Sequence, residues 1–117
     1  MKLNVYVADN LIPIEVPDDM LEEAEHIYAK MDSDMDKGWK IGPTYIEKPD
    51  RIQRAQIAAD KMLTAIETEN QTLAQLMAGY IVSRIPEVKS VNIDIYGEPL
   101  NTEIETWHLV TITNADQ

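Results

Sequence analysis

Residues 3–16 read Leu-Asn-Val-Tyr-Val-Ala-Asp-Asn-Leu-Ile-Pro-Ile-Glu-Val. Leu3, Val5 and Val7 alternate with Asn4, Tyr6 and Ala8; Ile12, Ile14 and Val16 alternate with Pro13 and Glu15. An apolar period of two, rich in β-branched residues, predicts strands. Asp9-Asn10 between the two runs is a turn signal, so they should pair as a hairpin. Pro13 lacks an N–H, which places the second strand at a sheet edge or leaves its pairing partial.

Downstream the period changes. Pro17-Asp18-Asp19 carries capping acids, and Leu21, Ala24, Ile27, Tyr28, Met31 and Met35 follow at helical spacing until Gly38. A helix is expected over 18–37. Residues 38–49 hold two Gly and two Pro with no sustained period and read as a loop. Ile52, Ala55, Ala59, Met62, Ile66, Leu73, Leu76 and Tyr80 then mark helix from 50 to 85. A straight helix of that length would span about 54 Å, against a radius of gyration of about 13 Å for a domain of this size. A break at Thr68-Glu69-Asn70-Gln71, with Thr68 and Gln71 as a capping box, is therefore favoured. Period two returns at Val91, Ile93 and Ile95 and again from Ile104 to Thr113, across Gly97-Glu98-Pro99. The expected fold class is α+β, with an N-terminal β-hairpin, two to three helices and a C-terminal β-hairpin. These would form an antiparallel sheet with the helices packed on one face. Residues 1–113 form one domain in this reading, and 114–117 a disordered tail.

The chain has 117 residues, 44% of them apolar, and no cysteine. A domain of this size buries roughly two thirds of its unfolded surface and needs no metal or disulfide to fold. Without cysteine, disulfides, thiol catalysis and iron–sulfur clusters are excluded, and a cytoplasmic location is expected. The alternating N-terminus contains no apolar h-region, so no signal peptide is expected. The most apolar stretch, 73–85, falls short of the roughly 20 residues of a membrane span.

Net charge is −11. Residues 1–36 carry ten acids and two bases, 37–61 six bases and three acids, and 62–117 eight acids and two bases. Such a chain is a poor ligand for nucleic acid and is drawn to basic partners.

No motif specifies a reaction or a cofactor. Asp32-Ser33-Asp34-Met35-Asp36 resembles the start of a calcium loop, but counting from Asp32 puts Lys37 at the sixth position and Pro43 at the twelfth. Calcium loops require Gly and Glu there. Glu23-x-x-His26 and Glu105-x-x-His108 match a dimetal half-motif, but only the first falls on a helix. Ser33, Ser83 and Ser90 lack the strand–turn–helix setting of a nucleophile. Four glycines, at 38, 42, 79 and 97, build no phosphate loop.

Two regions stand out. Trp39, Tyr45, Lys48, Arg51 and Arg54, together with Lys40 and Gln53, crowd the loop and first turn of the long helix, where free N–H groups favour anions. The ordinary alternative is that the aromatics pack the loop and the bases pair with nearby acids. Leu73, Met77, Tyr80 and Ile81 belong to a helix that is apolar all round and must be covered all round. A second copy of the chain is one cover; the first helix and the sheet are the other. The leading expectation is a non-enzymatic protein-interaction or regulatory module, homo-oligomeric by that argument, with a protein partner and no cofactor. The alternative is a binder or enzyme for a small anionic ligand using residues 38–54.

Overall fold

The computed structural model describes residues 1–107 and the backbone of 111–112. His108 and the tail 114–117 lie outside the described residues. The chain is α+β. Strands β1 (Lys2–Val7) and β2 (Asn10–Glu15) precede helices α1 (Met20–Glu23) and α2 (Glu25–Met35). Short strands β3 (Trp39–Ile41) and β4 (Thr44–Ile46) follow, then α3 (Arg51–Glu67) and α4 (Gln71–Arg84). The chain returns through β5 (Val88–Ile93), β6 (Glu103–Thr106) and β7 (Thr111–Ile112).

The main sheet has the order β2-β1-β5-β6-β7, and β3-β4 is a separate hairpin. All its pairings are antiparallel except one. β1 and β5 run parallel, with Val5 opposite Val91 and Val7 opposite Ile93. The expected antiparallel sheet is thus corrected to a mixed one. The reason is topological: the helices carry the chain back to the end of the sheet where β1 began, so β5 enters beside β1 in the same direction.

The expected loop at 38–49 is also corrected. Trp39-Lys40-Ile41 pairs antiparallel with Thr44-Tyr45-Ile46 around Gly42-Pro43. Ile41 is buried, so this hairpin contributes to the core.

The first hairpin closes between Val7 and Asn10, so Ala8 and Asp9 form its two-residue turn. Both have positive φ, +50° and +66°. That is the backbone of a type I′ turn, which matches strand twist and favours Asn-Gly. The turn therefore sits one residue earlier than expected and holds an alanine in the left-handed region, at a cost of about 1 kcal/mol. Replacing Ala8-Asp9 with Asn-Gly should stabilise the domain by about 1 kcal/mol in urea unfolding. An unchanged or lower midpoint would show that the turn is not strained. In this register Pro13 opposes Asn4 at a non-hydrogen-bonded position, so its missing N–H faces the open edge and costs no ladder bond.

The helical stretch at 50–85 is two helices. α3 starts at a capping box in which Asp50 accepts from Gln53 N–H and Gln53 Oε1 accepts from Asp50 N–H, both at 2.8 Å. Glu69 turns the chain with φ +58°, and Asn70 caps α4 by accepting from Leu73 N–H at 3.1 Å. The break lies where expected, but its device is Asn70 and not a Thr68–Gln71 box.

α3 and α4 pack against each other, and both bury small side chains: Ala55, Ala58, Ala59 and Ala65 on α3, Ala74 and Ala78 on α4. Gln56, wholly buried, donates to the carbonyls of Leu100 (3.0 Å) and Thr102 (2.9 Å), tying α3 to the start of β6. Met77, Tyr80 and Ile81 are almost completely covered within one chain. Leu73 is half-covered. A second copy is not needed to cover this helix. Among the described residues, no helix is long and apolar enough to cross a membrane.

Candidate functional site

The basic residues that stand out in the sequence are already engaged. Arg51 donates to both carboxylate oxygens of Glu87, at 3.1 Å each. Arg54 is only 14% exposed at its side chain. It donates to the Pro49 carbonyl (2.8 Å), the Asp32 carbonyl (3.2 Å), Asp32 Oδ1 (3.4 Å) and Asp36 Oδ1 (2.6 Å). Burial works against the Arg54 charge, but Asp36 and Asp32 outweigh it and its pKa is raised. Tyr45 is exposed and donates to the Lys37 carbonyl at 3.3 Å. Trp39 is half-buried against the core, with the Lys61 ammonium 5.1 Å over its ring. Exposed Lys48 acts on Asp36 by charge alone.

Arg51 and Arg54 do share a cleft, lined also by Asp32, Pro49, Tyr80 and Arg84. Trp39, Tyr45 and Lys48 do not line it. Asp32 is its hub. Its Oδ1 accepts from Tyr80 Oη and Arg54, and its Oδ2 accepts from Arg84 Nε at 3.0 Å. Arg84 also grips Glu25 with both terminal nitrogens, at 2.7 and 2.9 Å. Its guanidinium lies over the rings of Tyr28 and Tyr80. Burial first, and the bond to Asp32 next, push the Tyr80 hydroxyl well above its ordinary pKa. The hydrogen bond to Glu25 leads the causes that raise that of Arg84. Every guanidinium in the cleft faces at least one carboxylate, so an incoming anion has to displace one. The arrangement clamps α2, α3 and α4 together.

The acids of the Asp32–Asp36 run are thus used for ion pairs, Asp34 with Lys30 at 2.6 Å included. The Arg84 bond holds the Glu25 carboxyl below its ordinary value, and the Arg54 bond does the same for Asp36. A folded pKa below the unfolded one contributes stability that is fully present above the unfolded value. It is lost as pH falls through the folded value. The urea midpoint should therefore fall between about pH 5 and pH 3, and less steeply in Glu25→Gln/Asp36→Asn. An identical slope in that variant would remove these pairs from the account.

The second candidate surface is the face of the main sheet opposite the helices. Leu3, Val5, Ile14, Val91 and Ile104 point into the core. The alternate positions, Asn4, Tyr6, Leu11, Pro13, Asn92, Glu103 and Glu105, are exposed or half-exposed among the described residues. Glu105 pairs with Lys89 at 3.2 Å, and that ammonium lies 5.5 Å over the exposed Trp107 ring. Beside this face a tight turn is braced by Asp94. Its Oδ2 accepts from the N–H groups of Tyr96 (3.0 Å) and Glu98 (2.8 Å), while Asp94 N–H donates to Thr102 Oγ1 (3.0 Å). The turn holds Tyr96 85% exposed. These residues carry no motif; their signal was the polar half of the two-residue period. Among the described residues no cluster of three or more His, Asp or Glu is disposed to hold a metal ion. In comparisons with known proteins, the chain matches no family model, no curated protein and no solved structure.

Proposed function

We propose that this chain is a non-enzymatic protein-interaction module whose working surface is the uncovered face of the main sheet. The observation that carries this reading is the contrast between the two charged regions. The arginine cleft is closed upon itself by carboxylates, whereas Asn4, Tyr6, Asn92 and Glu103 on the sheet face offer hydrogen-bonding groups with no partner among the described residues. Tyr96 on its braced turn and Leu11 beside Tyr6 add exposed apolar area at the rim. Exposed tyrosines held by a rigid backbone are typical anchors of protein interfaces. With Arg51, Arg54 and Arg84 neutralised in place, the unpaired charge is mostly acidic, which favours a basic partner and a salt-sensitive association. The small-anion reading of residues 38–54 draws less support, because Arg51 and Arg54 would have to release Glu87, Asp32 and Asp36.

The test is affinity capture from a lysate of the source organism with the full chain and with Tyr6→Ser/Leu11→Ser. These side chains leave the core untouched, so thermal stability should hold. A protein retained by the parent at low salt and lost by at least about tenfold with the variant, about 1.4 kcal/mol, is the expected result. Retention that ignores the face substitutions would overturn the reading.

A further inference from the structure

Ser90 sits at the centre of the uncovered face, opposite Asn4 on β1 and Glu105 on β6. It is only 8% exposed. Its hydroxyl makes no hydrogen bond among the described residues. Every fully sealed side-chain nitrogen or oxygen there does have a partner, so the Ser90 hydroxyl is one that still reaches the surface. It opens into a cleft of about 280 Å³ whose other walls are Asn4, Tyr6, Asn92, Glu103, Glu105 and Lys89. A hydroxyl this deep in the sheet, with no partner among the described residues, is left to hydrogen-bond to whatever occupies the cleft.

We infer that this cleft receives one arginine side chain of a basic protein partner, its guanidinium donating to Ser90 Oγ and Glu103. The inference rests on the proposed interaction module and specifies what its face recognises. Charge selects the class of occupant. Glu103 and Glu105 against one lysine leave the cleft negative, within a chain of net charge −11. Anionic ligands are repelled. Lys89 engages Glu105, and Glu103 has no ion-pair partner among the described residues. Residues that can accept hydrogen bonds line it from several strands: Glu103 from β6, Ser90 and Asn92 from β5, and Asn4 from β1. A planar guanidinium with five N–H donors can use several at once, and an ammonium cannot match that fork. The Tyr6 ring borders the same space and suits stacking by a guanidinium. The volume is below the roughly 300–1,000 Å³ of clefts that enclose drug-sized ligands and suits a single side chain.

The test titrates the isotope-labelled full chain with N-acetyl-arginine amide, and with N-acetyl-citrulline amide as the uncharged isostere. Saturable amide shifts at Asn4, Ser90, Asn92 and Glu103 are expected with the arginine probe and not with the citrulline probe. Glu103→Gln should weaken the arginine probe by roughly tenfold, the loss of one charge-assisted hydrogen bond. Ser90→Ala should weaken it without lowering thermal stability, because no partner within the chain is lost. Equal response to citrulline, shifts scattered over all acidic surfaces, or no response up to about 50 mM would each overturn the inference. So would a Ser90→Ala variant that binds like the parent. A captured partner with a silent probe would overturn only the arginine cleft; a binding probe with no captured partner would overturn only the interaction module.

Discussion

Gly79→Ala should lower the stability of this domain by about 2 kcal/mol or more, although alanine is the better helix former by about 1 kcal/mol. Gly79 lies inside α4 and is buried. A Cβ there would fall well within van der Waals contact of Tyr28 Oη, with Met20 Sδ also close. Tyr28 cannot simply swing away. Its side chain is wholly buried, packs edge-on against Tyr80 and donates from Oη to the Leu76 carbonyl at 3.0 Å. Inserting a methyl therefore strains a filled core, about 1–3 kcal/mol, and displaces a buried hydroxyl from its acceptor, a further 1–3 kcal/mol. Against a total stability of roughly 5–15 kcal/mol this is a large fraction.

The cause can be isolated with a double-mutant cycle. Tyr28→Phe removes the hydroxyl and by itself should cost about 1 kcal/mol for the lost hydrogen bond. In that background the new methyl meets space where Oη was, so Gly79→Ala should cost much less than in the parent. A coupling of at least about 1 kcal/mol is expected for groups in direct contact. Additive losses in urea unfolding would mean that the glycine is needed for some other reason. The close backbone approach that a mid-helix glycine implies is thus made within one chain, by α2 against α4, without a second copy.

How far the sequence could be read depends on the range of the interaction. The two-residue period marks β1, β2, β5 and β6 and their faces, because alternation is local, but it overruns β5 to the exposed Ile95 and joins β6 and β7, which pair antiparallel, into one run. It could not say that β1 and β5 run parallel, since a period identifies a face and not the direction of a neighbour. The hairpin of β3 and β4 was hidden for the opposite reason. Three residues a side are too few to establish alternation, and Gly42-Pro43 looked like a break in structure where it is a turn. The break between α3 and α4 was visible from length alone, but its cap was not. Arg51 and Arg54 stood out as bases, and their partners did not. Asp32, Asp36 and Glu87 lie 18 to 36 residues away, and no spacing rule connects them. In the sequence Asp32 stands out only as the start of a failed calcium loop, and Arg84 resembles ordinary helix-end charge. Ser90 was weighed only as a nucleophile, and its burial without a partner is a property of the folded sheet.

Asp32→Ala should cost about 2–3 kcal/mol, the second large effect expected in this chain. Asp32 is the acceptor common to Tyr80 of α4, Arg84 of α4 and Arg54 of α3. Removing it does not free two bare charges, because Arg84 keeps Glu25 and Arg54 keeps Asp36 and the Pro49 carbonyl. The loss instead falls on the Tyr80 hydroxyl, on an otherwise wholly buried residue, and on two charge-assisted bonds in a cleft open enough to admit water. That access keeps the figure below the 3–5 kcal/mol expected when a sealed ion pair is broken. Asp32→Asn separates the terms. An amide oxygen still accepts from Tyr80, while the charge facing Arg84 and Arg54 is gone, so about half the loss should return. Tyr80→Phe in the Asp32→Ala background should then be nearly free, since the hydroxyl has already lost its acceptor. If Asp32→Ala lies within about 0.5 kcal/mol of the parent, the level of an ordinary surface change, the clamp does not hold the three helices. The outcome also bears on the cleft itself: a domain destabilised by loss of one carboxylate uses its arginines for folding.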